Sequence, residues 1–218
     1  SVPGLSPSKT GSVTPNNFTT ANLSALYPYI YSANSTIAST LINFVRGYDS
    51  FDENTNGSSI DWRWKLNDVY NSKPIYVAQP ASSPPTDADH AGGTEYFYKL
   101  NPSAYSAYLS QVASRRPMIY VGSNGGMVHA IDAQNGTETW AFVPPPILDN
   151  FQYIISGTPN TTNSIFGVDG GLVAQDVYVG GQWRTYMAVT YGNGGRGFSI
   201  LDVTNPLLPT HVVSVERY

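Results

Sequence analysis

The sequence predicts a mainly β protein built from short antiparallel meanders. Two observations carry this reading. Across residues 116–142, β-rich runs alternate with turn residues: 118–121 is one run, and Gly122-Ser123-Asn124-Gly125-Gly126 tolerates the positive φ of a reversal. Residues 127–132 then alternate, Ala133-Gln134-Asn135-Gly136 ends in an Asn-Gly turn, and 139–143 runs back carrying Trp140. The second observation is a repeat. Asn124-Gly125-Gly126 corresponds to Asn193-Gly194-Gly195 at an offset of 69 residues, and Asp132 to Asp202 at 70. A meander with an Asn-Gly turn, an Asp and a late Trp is the kernel of a propeller blade. The expected fold is therefore a partial β-propeller of about two to three blades, with two short helices and long loop insertions.

In chain order, residues 1–33 read as an extended N-terminal arm or linker. Pro3, Pro7 and Pro15 stand there among Ser, Thr and Gly, and 22–32 crowds Leu and Tyr around Pro28. The propeller domain is expected over 34–218. Its first helix should run from 35 or 36 to 46, with Asn34 or Ser35 as cap, Ile37, Leu41, Phe44 and Val45 on one face, and Gly47 as stop. Trp62-Arg63-Trp64-Lys65-Leu66 alternates aromatic and basic residues, as a strand with one wet face would, and 75–78 follows as another strand. Residues 62–78 could open a third blade. A second helix is expected over 102–113, capped by Asn101 with Pro102 at its first position. Pro144-Pro145-Pro146 should force an extended connection, and 148–166 an irregular insertion. Strands resume at 171–174, 176–179, 182–190 and 198–203.

Composition narrows the function. Asp, Glu, Lys and Arg make up 12% of the 218 residues, against roughly 25% in ordinary soluble domains. The net charge of −4, with no basic cluster, argues against nucleic-acid binding. Without cysteine, disulfides, thiolate catalysis, zinc ribbons and iron–sulfur clusters are excluded. Such a chain suits an extracellular surface or a virion, although a cytosolic protein can share these features. No apolar run approaches the roughly 18 residues of a membrane span. Starting at Ser1, the chain is expected to be processed or a fragment.

The residues of the repeat also carry a resemblance. The run 120–132, YVGSNGGMVHAID, then Gly136 and 140–144, WAFVP, resembles the first blade of the PilY/PilC family of type IV pilus tip adhesins. Agreement continues at Arg46-Gly47, 66–77, Val168-Asp169-Gly170, Trp183-Arg184-Thr185, Gly194-Gly195-Arg196-Gly197 and 202–206, in one collinear order. The resemblance implies a non-enzymatic, extracellular protein of the cell surface or pilus tip. It implies roles in pilus assembly, twitching motility and attachment, with pilins or minor pilins and a host or abiotic surface as partners. Binding would use the loops 79–96 and 148–166, where Tyr, Asn and Ser give adaptable contacts. Deleting either loop should then leave folding intact. The alternative is a structural subunit of a larger filament or virion, its open edges covered by neighbouring copies. The family's calcium loop in a later blade does not fall in these residues.

Several individual motifs also admit simpler readings. Gly192-Asn193-Gly194-Gly195-Arg196-Gly197 satisfies the dinucleotide fingerprint, but a strand is expected after it where phosphate binding needs a helix. Trp140 resembles the tryptophan that packs between blades of quinoprotein propellers, a role in burial. Asp52, Asn54 and Asn56, followed by Gly57 and Ser58, match the first seven positions of a calcium loop, with Asp61 standing in for the missing bidentate Glu. These five residues, Asp52, Asn54, Asn56, Ser58 and Asp61, are the candidate calcium ligands. Asp87, Asp89 and His90 form a weaker group. His90, His129 and His211 show no acid partner in sequence, and His129 reads as a hydrogen-bonded scaffold residue.

Overall fold

The computed structural model describes residues 17–83 and 93–216. The first part of the expected arm, and Asp87, Asp89 and His90 within the 79–96 loop, lie outside the described residues.

Residues 17–33 do not extend away from the domain. Leu23–Ile30 forms helix α1 and Ser35–Val45 helix α2. Leu26 and Ile30 of α1 are fully buried in the main core, so the apolar crowding around Pro28 reflects core packing. Proline removes one backbone donor from a helix of only two turns, and Tyr31 ends it in the left-handed region at φ 51°. Helix α2 starts as expected: Asn34 Oδ1 accepts the Ile37 N–H at 2.9 Å.

The strands form two four-stranded antiparallel sheets, each ordered as a simple meander. The first contains β1 (Ile75–Val77), β2 (Met118–Gly122), β3 (Val128–Asp132) and β4 (Glu138–Phe142). Two helices intervene between β1 and β2: α3 (Thr94–Leu100), which was not anticipated, and α4 (Pro102–Gln111), capped by Asn101 Oδ1 on the Ala104 N–H. The second sheet contains β5 (Leu172–Val179), β6 (Gln182–Thr190), β7 (Gly197–Asp202) and β8 (Thr210–Glu216). Gly180 and Gly181, at φ 60° and 79°, make the tight β5–β6 hairpin. No third blade starts at Trp62. Ile75–Val77 is the first strand of the first blade, and 62–66 makes a single bridge, Trp62 with Tyr48.

The two sheets face each other across the core. Met118, Tyr120, Val128 and Ala130 of the first sheet join Leu172, Met187, Val189 and Leu201 of the second in one buried cluster. Trp140 lies between the blades, as expected of its size: its Nε1 donates to the Pro206 carbonyl at 2.7 Å and its ring lies 5.6 Å from Tyr120. The prolines after β4 do not stay extended. Only Pro144 does, and Pro145–Ile154 coils as 3-10 turns, since proline tolerates the first turn of a helix. Ile147, Leu148, Phe151 and Ile154 from these turns enter the core. The segment 148–166 is therefore partly core, and its deletion would open the domain.

Candidate functional site

The turns following β2 and β6 lie at one end of the two sheets, where several loops meet them. Asn124, in the β2–β3 turn, donates Nδ2 to Asp68 Oδ2 at 2.7 Å, and its N–H bonds the Asp68 carbonyl at 3.0 Å. Asn193, its counterpart in the β6–β7 turn, donates Nδ2 to Asp169 Oδ2 at 2.9 Å. Asp169 is buried and also accepts from Asn71 N–H and Nδ2 at 3.2 and 2.7 Å. Burial alone would raise its pKa, but these donors outweigh it and hold the carboxyl below its ordinary range. The other repeated residue behaves alike. Asp132 pairs with Arg116 and accepts from the Gln134 N–H; Asp202 pairs with Arg184 and accepts from the Thr204 N–H.

Gly194 marks how closely the loops approach. A Cβ there would collide with the Gly167 carbonyl oxygen, so only glycine fits the junction of the two turns.

The loop 49–61 lies on the same side. Glu53 accepts from the Thr162 hydroxyl at 2.6 Å, and Asn160 Nδ2 donates to Asp52 at 3.1 Å, so this loop is stitched to 155–166. A cavity of about 100 Å³ lies between them, lined by Arg63, Asn67, Asp68, Asn124 and Asn163 among others. Beside it, an open groove of about 530 Å³ is bordered by Asn150, Tyr153, Phe166, Asn193 and Arg196. Its exposed Tyr, Phe and Arg are the residue types that serve recognition surfaces.

The five candidate calcium ligands lie here in a loop that bonds to itself. Asp52 accepts the Gly57 N–H at 3.1 Å; Asn54 and Asn56 both donate Nδ2 to Asp61 Oδ2 at 2.9 Å. The side-chain oxygens of Asn54 and Asn56 accept the N–H groups of Asn56 and Ser58. Ser58 Oγ faces the Ile60 N–H at 3.4 Å. The bonds from Asn54 and Asn56, helped by the Ser58 hydroxyl, hold the Asp61 carboxyl below its ordinary range. Asp61 Oδ1 is buried without a hydrogen-bond partner. An all-oxygen donor set with one unsatisfied carboxylate oxygen fits a hard cation, although the two amides would have to turn their oxygens inward. No group of three or more His, Cys, Asp or Glu converges as a metal cluster among the described residues.

His129 has the acid partner that sequence spacing did not reveal. Its Nδ1 lies 2.7 Å from Glu138 Oε1 and its Nε2 3.0 Å from Ser123 Oγ. Lys65 Nζ meets Glu138 at 2.8 Å from the other side. The hydrogen bond from His129, with Lys65 in support, pulls the Glu138 carboxyl down to about 2. An ionised Glu138 can only accept, so Nδ1 carries a proton toward it, while Nε2 shares a hydrogen bond with the Ser123 hydroxyl. Ser, His and carboxylate thus stand at the spacing of a nucleophilic triad. Ser123 is 1% exposed and His129 2%, however, and a nucleophile sealed in the core meets no substrate. The chain of bonds fixes the β2–β3 turn. The fingerprint glycines are followed by strand β7, which removes the dinucleotide reading.

Two stacked meander sheets, with the same Asn and Asp latches in each, define a partial β-propeller. Residues 81–212 match the PilY1 beta-propeller domain, and the chain belongs to that family. It is 37% identical over 168 residues to a type IV pilus biogenesis factor PilY1 homolog of Xylella fastidiosa, covering 76% of this chain and 13% of that one. It is 28% identical over 170 residues to the type IV pilus biogenesis factor PilY1 of Pseudomonas aeruginosa strain UCBPP-PA14, again covering 76% and 13%. Each relative is thus several times longer than the chain. The solved PilY1 C-terminal domain of Pseudomonas aeruginosa aligns at 28% identity over 65% of this chain and 25% of that one, with a TM-score of 0.45. No helix among the described residues is long and apolar enough to cross a membrane.

Proposed function

We propose that the chain is a non-enzymatic binding module of an extracellular protein at the type IV pilus tip. It contributes there to pilus assembly, twitching motility and attachment. The observation that carries this reading is membership of the PilY1 beta-propeller family, whose matched relatives are named type IV pilus biogenesis factors. The partners are pilus components, pilins or minor pilins, and a host or abiotic surface. The groove bordered by Tyr153, Phe166 and Arg196 supports the binding part of the reading, because it exposes aromatic and cationic side chains on a hydrogen-bonded framework. Replacing all three with Ser in the full-length protein tests it. Surface pili and attachment should fall while the melting temperature stays unchanged, and wild-type piliation and attachment together would overturn the assignment.

Calcium in the 52–61 loop is part of the same reading, favoured by the unpartnered Asp61 Oδ1. Asp52 and Asp61 would supply the charge and Asn54, Asn56 and the Ser58 carbonyl the remaining oxygens. With two carboxylates the affinity should fall in the millimolar range typical of extracellular modules. Titration calorimetry showing no heat at millimolar calcium would remove it.

The structural-subunit alternative draws on the outer face of the second sheet, where Val173, Phe198 and Val215 are exposed. Light scattering separates the two: an adhesin module stays monomeric, a structural subunit assembles.

A further inference from the structure

The segment 60–66 carries its polarity the wrong way round for a surface ribbon. Its alternate residues Asp61 and Arg63 turn toward the protein, and Lys65, with its side chain 47% exposed, reaches back from the surface to an ion pair. Asp61 takes the Asn54 and Asn56 amides, Arg63 lies 3.8 Å over the Phe44 ring and bonds Asn67, and Lys65 pairs with Glu138. The intervening side chains face solvent: Ile60 is 78% exposed, Trp62 69%, Trp64 94% and Leu66 42%. Sequence alternation alone suggests the reverse, with the basic residues wet and the tryptophans buried. Asp61 and Arg63 are each pinned by a named partner, which opposes turning the ribbon over to bury the aromatics.

The backbone of the same segment is paired on one side only. Asp49 N–H bonds the Asp61 carbonyl at 2.8 Å and Arg63 N–H the Gly47 carbonyl at 2.9 Å. The antiparallel bridge to Tyr48 directs the N–H and C=O groups of Trp62 to the opposite edge, and among the described residues neither Trp62 nor Trp64 makes a backbone–backbone hydrogen bond. Trp62 is held in place by stacking on Tyr48, with ring centroids 4.5 Å apart. An open strand edge and an apolar row at every second residue therefore coincide.

We propose that this edge docks an extended segment of a partner protein by strand addition, the segment carrying apolar side chains at alternate positions. Free backbone donors and acceptors call for another backbone, and side chains spaced by two residues call for a partner of the same period. A single added strand would meet both the open backbone edge and the apolar row, whereas the side-chain face of a second copy would leave the backbone groups unpaired. The proposal goes beyond the pilus reading and does not depend on it.

Amide hydrogen exchange on the full chain tests this, using a short synthetic peptide of alternating Val and Thr as probe. A second peptide of the same sequence is N-methylated at alternate backbone nitrogens, which removes strand pairing but keeps the side chains. The first peptide should slow exchange at Trp62 and Trp64 about tenfold or more, and the methylated one should not. Trp64→Thr, at a site with no packing to lose, should weaken binding about tenfold while leaving the fold unchanged. Equal protection by both peptides would overturn the proposal, and so would no protection at millimolar peptide. Concentration-dependent dimerisation lost in Trp64→Thr would assign the edge to a second copy. Protection by an oligosaccharide such as cellohexaose, with none by the peptide, would make it a sugar surface.

Discussion

Asn193 donates its side-chain amide to the buried Asp169 at 2.9 Å, and the same bond recurs at 2.7 Å between Asn124 and Asp68 in the preceding blade. In each case the donor sits in a turn rich in glycine and the acceptor in the segment leading into a sheet. Asp169 has the heavier duty, since Asn71 also bonds it with two donors and so joins the two blades. Asp169→Ala should therefore leave three donors of partly buried bonds without their acceptor and cost about 2–4 kcal/mol. Asn193→Ala removes one donor and should cost about 1–2 kcal/mol. Chemical denaturation of both variants checks the order; equal losses would contradict it.

Two acid windows should be separable. His211 is buried, stacked on Phe142 at 5.6 Å, and burial pushes its pKa down to about 4. Its folded form holds fewer protons than the unfolded chain, so stability should fall as pH drops from about 6.5 to 4 and then level off for this group. Glu138, held at about 2 by His129 and Lys65, is also depressed. Its contribution is complete above the unfolded value near 4.5 and is lost as pH falls from there to about 2. His211→Asn should flatten the first window and Glu138→Gln the second. Melting temperatures taken between pH 7 and 2 would show both slopes, and a single slope left unchanged by either variant would refute the assignment.

Close backbone approach makes a sharp contrast between glycines. Gly194→Ala forces a methyl group into the Gly167 carbonyl and should destabilise by about 2 kcal/mol or more. Gly171→Ala has open space around it and should stay within about 0.5 kcal/mol of the parent, or gain slightly from reduced freedom of the unfolded chain. Comparable losses at both sites, measured by thermal unfolding, would disprove the packed junction.

The 3-10 segment Pro145–Ile154 presents one side to the core and one to solvent. Phe151 is fully buried and packs edge-on against Phe18 at 5.8 Å, so Phe151→Ala should cost about 3–5 kcal/mol. Tyr153 is 63% exposed, and Tyr153→Ala should change stability by less than about 0.5 kcal/mol. If Tyr153→Ala were the more damaging in denaturation, the orientation of the segment would be wrong.

How much of this could be read from residues depended on the range of the cause. Blade strands, the α2 cap at Asn34 and the repeat at Asn124 and Asn193 follow from short-range period and turn chemistry, so they are legible. Asp169 was visible only as a family residue, because its partners Asn71 and Asn193 lie 98 and 24 positions away. Glu138 stood nine residues after His129, yet only the β3–β4 hairpin and its bulge at Ala130 bring the two together. Helix α1 is illegible because Pro28 disfavours a helix locally, whereas burial of Leu26 and Ile30 decides the matter. The reversal at 60–66 was illegible for a similar reason. Alternation reveals that a ribbon has two faces, but only the partners of Arg63 and Lys65 determine which face is inside.

The paired latches also set an order in time. Asn124 must find Asp68 across 56 residues, while Asn193 finds Asp169 across 24. Closing the longer span costs about 0.8 kcal/mol more chain entropy. The second sheet, whose strands connect only through short links, is therefore the cheaper nucleus, although it is synthesised after the first. Pulse-labelled exchange during refolding should show protection in β5–β8 ahead of β1–β4. A chain emerging from its amino end would thus wait on its later half before the earlier half could settle.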